Sequence, residues 1–495
     1  MKQILKKLIS AICFCALLFF LIGRVTYVLS DKSRGTLAED YYQYGRNTFD
    51  VIFAGPSTTQ YAIQPMQLWE EFGIVSYNLG TSAQTVAQEY YLVKEAIQLH
   101  HPKLVVLDGG TESSEKKVNS KEHLHFMSDG MPITSKVKWE MMTDLAGTDI
   151  LEFILPIYTY HTRWKELTKN DFLPDSKEHV LGAVTGVVRG DGPALVENPI
   201  DTSYQISGWS KYYIEKLIRL CRSTGTELLM FTTPTLYEGK TITQEAYDNR
   251  KGAYYALAEL LSSYDVPFLN YFTRGAELGM DKETDSGDGH HLNIWGARKF
   301  TSFIGNYISS RYHLEDHRQD PRYEPMNAAL AASRALMTGR LLRSAYSFRT
   351  YFDLLEDARK EEEKYIVVMA LCGDVSGAFS AADAGIIMQA GTEQSLCHYG
   401  SHSYIAVLDE GKVLYESDIR SPALEEEKKL QVGDILIEAT SSVSGENTEI
   451  RVNGAVYAAD RSCLRIVVIN KETGTVDDHA YLTLGRTDHS IAHPQ

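Results

Sequence analysis

The sequence predicts an α/β protein: a three-layer domain on an open parallel sheet, preceded by one transmembrane helix and followed by a mostly β C-terminal domain. Three observations lead there. An almost unbroken apolar run fills positions 8 to 29. From Asp50 to about Ser310, short apolar runs alternate with longer stretches of helical periodicity, the pattern of parallel strands joined by crossover helices. From Tyr365 onward the texture changes to short β-branched runs bounded by Gly, Asp and Asn.

The first run, LISAICFCALLFFLIGRVTYVL, interrupted only by Arg24, can cross a hydrocarbon core of about 30 Å at roughly 1.5 Å per residue. Arg24 lies near its distal end, where a long side chain reaches the headgroups. Lys2, Lys6 and Lys7 precede the run, which puts the N-terminus in the cytoplasm and everything beyond about residue 30 outside. A cleaved signal peptide shares the basic and apolar segments. Arg24, Tyr27 and Leu29 occupy the stretch where a small-x-small cleavage site would stand, so the favoured reading is an uncleaved, single-pass anchor in the cell membrane.

A chain of 495 residues can hold two or three domains with cores of their own. The expected divisions are a cytoplasmic stub and anchor at 1–30, an α/β domain at 31–320, a helical connector at 321–363 and a β-rich domain at 364–495. The net charge of −16 argues against a nucleic-acid partner, which calls for a basic face. Cys13 and Cys15 lie in the anchor, Cys221 mid-chain, and Cys372, Cys397 and Cys463 near the end. That distribution is no disulfide framework, although one bridge among the last three suits an oxidising compartment. It matches no zinc spacing either, so neither metal nor cofactor is expected.

In the α/β region the clearest strands are DVIFAG (50–55), KLVVLDG (103–109), ELLMFTTP (227–234) and VPFLNY (266–271). Residues 85–100 and 208–225 carry apolar side chains at helical spacing, and Gly225 is the expected cap of the second helix. The connector opens with the charged RYHLEDHRQDPRYEP and continues into one or two helices, with EEEK at 361–364 read as a solvated helix end. The strands expected beyond it are YIVVMAL, SYIAVLD, KVLYES, DILIEAT, TEIRVNG and LRIVVINK, with a helical piece in SAADAGIIMQAG.

Two features carry chemistry. The first strand runs into Gly55-Pro56-Ser57-Thr58-Thr59, so the Ser57 hydroxyl sits at the strand's carboxyl end, the customary place for a site in an open α/β sheet. A serine there serves as nucleophile if a base is in reach; otherwise it only caps the following helix. Far along the chain, Asp288 and His291 stand three residues apart on a Gly-containing loop, able to point into one pocket. The carboxylate can then orient the imidazole and favour the cation formed when His291 takes the serine proton. The bland alternative is a polar loop capping the next helix.

The order of Ser early and Asp-x-x-His late resembles the SGNH/GDSL hydrolase superfamily over most of residues 50–320. The phrases DVIFAGPSTTQYAIQP, SYNLGTSAQT and DGHHLNIWGARKFT look like its membrane-anchored surface-polysaccharide branch, whose members are acyl esterases or acyltransferases. The resemblance implies Ser57 as nucleophile, Asp288 as orienting acid, His291 as base, and the amides of Gly80 and Ser57 as oxyanion donors. One departure stands out. Where the superfamily's third block provides Gly-x-Asn-Asp, this chain reads Asp108-Gly109-Gly110-Thr111-Glu112, leaving Thr111 as a substitute or two donors alone.

Tyr160, His161, Arg163 and Trp164 combine aromatic platforms with hydrogen-bonding groups, which suits a sugar ring and equally a buried aromatic anchor. In the distal region, EIRVNGAVYAADRSCLRIVVINKETGTVDDHAYL and GIIMQAGTEQSLCHYGSHSYIAVLDEGKVLYE look like the two halves of an interleukin-like EMT inducer (ILEI/FAM3/PANDER) domain in reversed order, hence circularly permuted. That resemblance implies a compact β-sandwich-like fold, which binds carbohydrate in some relatives, with Ser401, His402 and Tyr404 near the ligand side. The expected function is therefore an extracytoplasmic serine esterase or O-acyl(acetyl)transferase acting on cell-surface glycan. The alternative is a non-catalytic carbohydrate-binding or assembly protein on a degenerate hydrolase fold.

Overall fold

The computed structural model describes residues 2–29, 41–111, 116–155, 157–172, 179–360, 364–373, 378–397, 402–419, 425–444, 448–458, 463–484 and 489–493. It divides into two compact units, Met1–Met326 and Asn327–Gln495.

The first unit begins with α1 (Lys2–Leu29), which is long and apolar enough to cross a membrane and whose apolar window is unburied. Its sheet comprises β1 (Val51–Ala54), β2 (Ser76–Asn78), β3 (Leu104–Asp108), β4 (Glu227–Thr232) and β5 (Phe268–Asn270), in the order β2-β1-β3-β4-β5 and parallel throughout. Strands covered on both faces need no polar alternation, and β1 and β3 are buried along their whole length. The crossovers include α2 (Ser57–Ala62), α3 (Pro65–Phe72), α4 (Val86–His100), α5 (Gly208–Thr224) and α6 (Gln244–Ser262), and α7 (Ile294–Arg311) follows the last strand. Their ends follow local chemistry. Thr85 and Gln88 form a capping box on α4, Ser207 and Thr243 cap α5 and α6, and Gly225 ends α5 at φ 71°. One core layer joins Val51, Phe53, Leu104, Val106, Leu229 and Phe231 of the sheet to Ala297, Phe300, Ile304 and Ile308 of α7. The strand order reverses between β1 and β3, so the crevice of the sheet opens at their carboxyl ends.

The second unit contains most of α8 (Glu324–Arg343), then α9 (Phe348–Lys360), a ten-stranded sheet and α10 (Ala381–Gln389). The stretch expected as a connector contributes Leu342, Phe348, Tyr351, Phe352 and Leu355 to the same core as strand residues Val367, Met369 and Leu371. Glu361–Glu363 lie outside the described residues. The strands are β6 (Tyr365–Cys372), β7 (Ser403–Asp409), β8 (Lys412–Ile419), β9 (Glu425–Val432), β10 (Ile435–Ser442), β11 (Glu449–Val452), β12 (Ala455–Ala458), β13 (Cys463–Asn470), β14 (Val476–Leu484) and β15 (His489–Ala492). The main path runs β12-β11-β10-β6-β13-β14-β15, with β7 beside β6, β8 beside β7 and β9 beside β10.

The central strands of this unit are buried on both faces, β6 and β13 completely. Alternate residues of β6 serve two different layers. Tyr365, Val367, Met369 and Leu371 join the layer of α9, while Ile366, Val368 and Ala370 meet Ile405, Val407, Ile437, Ala439, Ile450 and Val452. One sheet thus supplies both walls of the second layer. Ser401 lies outside the described residues; His402 and Tyr404 are buried. Cys372 and Cys463 are register partners across β6 and β13, both as free thiols.

Candidate active site

β1 delivers the chain to Gly55 at the crevice, where the turn into α2 is tight. A Cβ on Gly55 would lie 2.1 Å from Thr59 Oγ1 and 2.6 Å from Asp108 Cβ, so only glycine lets β1 and β3 close there. Asp108 itself is fully buried. Its Oδ2 accepts the hydroxyls of Thr58 at 2.6 Å and Thr59 at 3.0 Å, and its Oδ1 accepts the Gly110 N–H at 2.9 Å. Burial pushes its pKa up, and those bonds act in the opposite direction. Asp108 therefore fixes the turn that carries Ser57.

The second half of the site is the loop before α7. Asn293 caps that helix, its Oδ1 accepting the N–H of Trp295 and Gly296, while its Nδ2 donates to the carbonyls of Thr284 and Val188. Ser286 Oγ donates to the His291 carbonyl and accepts the Gly289 N–H. Gly289 has φ +86° and sits where a Cβ would lie 2.2 Å from the Tyr237 carbonyl. This loop places Asp288 and His291 as a unit. Asp288 Oδ1 accepts the N–H of His290 at 3.0 Å and of His291 at 2.8 Å, and Oδ2 faces His291 Nδ1 at 2.8 Å.

The two halves meet across 234 positions of sequence. His291 Nε2 lies 2.7 Å from Ser57 Oγ. Tyr61 packs on the imidazole with ring centroids 5.3 Å apart. Burial works to raise the pKa of Asp288, but the bonds and charge of His291, with the His290 N–H, hold it well below the ordinary carboxylate range. A carboxylate so held keeps Nδ1 protonated and leaves Nε2 free to accept the serine proton.

The pocket above Ser57 encloses about 340 Å³ and is lined by Ser57, Ser82, Ala83, Asp108, Asn119, Arg250, Tyr254, His290 and His291 among others. Two sequence expectations meet a different arrangement. The Gly80 N–H points into its own turn, donating to Asn78 Oδ1 at 2.9 Å, and Gly80 does not line the pocket. The cause is Asn78, whose Nδ2 ties β2 to the carbonyls of Thr59 and Ile63 and so fixes its Oδ1 against Gly80. Ser57 remains at the first position of α2, where its N–H has no intrahelical acceptor. The side chain of Thr111 lies outside the described residues. Asn119, which no motif marked, is brought to the pocket rim by a bond from its Nδ2 to the Ala83 carbonyl at 2.9 Å.

Tyr160, His161, Arg163 and Trp164 do not line this pocket. They sit at the end of α1. Arg163 Nη1 donates to the Leu29 carbonyl at 2.6 Å and its Nη2 to Asp171 at 2.9 Å, while Tyr160 donates to Asp129. His161 Nδ1 lies 2.7 Å from the Tyr158 carbonyl, and Trp164 is exposed. Of the four, Arg163 ties this segment to the end of the helix.

No protein-family model and no curated protein matches the chain. Solved structures align with about half of it. A structure titled a putative acylhydrolase from Bacteroides fragilis is 12% identical, covering 52% of this chain and 86% of its own with a TM-score of 0.28. The lipase/acylhydrolase from Enterococcus faecalis is 11% identical, covering 54% and 98% with a TM-score of 0.29. A family 3 carbohydrate esterase from Clostridium thermocellum is 13% identical, covering 52% and 94% with a TM-score of 0.25.

Proposed function

We propose that this protein is a membrane-anchored, extracytoplasmic serine esterase or O-acyltransferase acting on acylated cell-surface carbohydrate. The observation that carries the reading is the relay from Ser57 Oγ to His291 Nε2 at 2.7 Å and from His291 Nδ1 to Asp288 at 2.8 Å, opening into a pocket.

In this reading Ser57 Oγ attacks the acyl carbonyl while His291 Nε2 takes its proton, and Asp288 stabilises the imidazolium. The Ser57 N–H faces the developing oxyanion. Collapse breaks the ester bond, His291 returns the proton to the departing sugar oxygen, and the acyl group stays on Ser57. Water or a second sugar hydroxyl then attacks the acyl-enzyme with the same base, giving hydrolysis or transfer. The anchor and its orientation are supported by the apolar α1 behind Lys2, Lys6 and Lys7, and by exposed Tyr158 and Trp164 beside its end, residue types suited to the headgroup level.

A second reading, a carbohydrate-binding protein without turnover, is favoured by the Gly80 amide being committed to Asn78. The test is turnover of acetylated sugars by the full-length chain in detergent, beside Ser57→Ala. Acetate release that depends on Ser57 upholds the enzyme; sugar binding with no Ser57-dependent release upholds the second reading.

A further inference from the structure

The wall of the pocket formed by α6 presents Arg250 and Tyr254, one helical turn apart and so on one face. Among the described residues the Arg250 guanidinium has no carboxylate partner. Its hydrogen bonds run to the ring of His290, the shorter from Nη1 to Nε2 at 2.7 Å. His290 is buried, with Nδ1 3.3 Å from Thr235 Oγ1, and burial first, then the charge of Arg250, push its pKa well below the ordinary value. The ring is therefore a neutral acceptor. It holds the guanidinium in place without pairing with it as an ion; the Arg250 charge acts on Asp108 from a distance, with no direct ion pair between them among the described residues.

The acidic groups around the site are occupied elsewhere. Asp108, the carboxylate among the lining residues, accepts Thr58, Thr59 and the Gly110 N–H at the pocket floor. Asp288 is taken up by His291 and two backbone amides. The donors on Nε and Nη2 of Arg250 are used by no other side chain among the described residues, and a planar guanidinium matches the paired oxygens of a carboxylate or phosphate. A chain of net charge −16 thus places a guanidinium with open donors in the same pocket as its nucleophile.

We propose that Arg250 recognises an oxyanion on the substrate, with His290 as its positioning residue, so that the ester presented to Ser57 is carried on an acidic sugar. This rests on the esterase reading of Ser57. The anion pairs with Arg250 while the ester carbonyl meets Ser57 Oγ, and Tyr254 flanks the pair.

The experiment compares three monoacetylated substrates, a methyl glucoside, a methyl glucuronide and a glucose phosphate, on the full-length chain in detergent. Wild type, Arg250→Gln, Arg250→Lys and His290→Gln are measured side by side. Wild type is expected to prefer a charged ester over the neutral one by about 10- to 100-fold in kcat/KM, and the preferred ester tells carboxylate from phosphate. R250Q abolishes that preference, R250K keeps part of it, and H290Q lowers it through KM rather than kcat. Equal kcat/KM on all three esters in wild type, or an equal loss on all three in R250Q, overturns the proposal. If no ester turns over and Ser57 resists an activated-serine probe, the esterase reading has failed. Calorimetric binding of unacetylated methyl glucuronide and glucose phosphate then decides the subsite: binding lost in R250Q upholds it, and no binding overturns it.

Discussion

The parallel sheet of the first unit and the curled sheet of the second use their polar residues in opposite ways. In the first, β1 and β3 are apolar up to their carboxyl ends, and the chemistry gathers there, at Asp108, the last residue of β3, and at Ser57, just past β1. In the second, the faces of β6 and β13 are given mainly to packing, and the polar group at the carboxyl end of β6, where Cys372 meets Cys463, Arg465 and Thr448, is buried. Two carboxylates show the same contrast. Asp288 sits half-buried but accepts two backbone amides and an imidazole, which hold its pKa down. Asp477 is buried on β14, and burial pushes its pKa up to about 7 against the weaker opposing effects of Asn470 and Arg343. A charge is kept where the converging donors outweigh burial and disfavoured where burial outweighs them.

The sharpest way to break this contrast is Asp288→Asn. The substitution removes the acceptor that selects the imidazole tautomer, so kcat on an acetyl ester should fall on the order of 10³- to 10⁴-fold. A fall of less than tenfold would mean that the loop does not set the base. In the packing-dominated unit the comparable blow is mechanical. Ile466→Ala empties a fully buried position on β13 and should cost about 2–5 kcal/mol in denaturant titration.

Asn293→Ala tests the loop more gently, because it removes the cap of α7 and two bonds that fix the Asp288 and His291 segment. A loss of about 1–2 kcal/mol in stability, with reduced kcat, is expected. A further test is on pH dependence. Because the folded pKa of Asp477 lies above the unfolded value of about 3.9, the folded state holds the extra proton between them. Its stabilising contribution is complete below pH ~3.9 and is lost as pH rises through about 7. Asp477→Asn should flatten that slope in melting curves from pH 5 to 8, whereas an unchanged slope would place the titration elsewhere.

How much was legible in sequence follows from how local each signal is. Asp288 and His291 are legible because they share one short loop, and Ser57, on a strand-end turn that could equally be a helix cap, is legible through its pairing with them. Arg250 and Tyr254 carry no such mark: they lie inside a helix whose pocket-facing side depends on how α6 packs. The Gly80 amide depends on the rotamer of Asn78, which no motif encodes. β2 has three residues, too few for a pattern, and β9 reads EEEKKLQV, a charged sequence that pairs with β10 without an apolar signature. The group around Arg163 lies away from the Ser57 pocket; aromatic rings with polar partners suit a structural role as well as a sugar, and the pattern does not say which.

The central claim is that Ser57 is activated by His291 and Asp288. It is tested most directly by treating the full-length chain with a fluorophosphonate probe and mapping the modified peptide by mass spectrometry. The account predicts a covalent adduct on Ser57, absent in Ser57→Ala and formed at least a hundredfold more slowly in His291→Ala. An unmodified Ser57, or a labelling rate indifferent to His291, would contradict it.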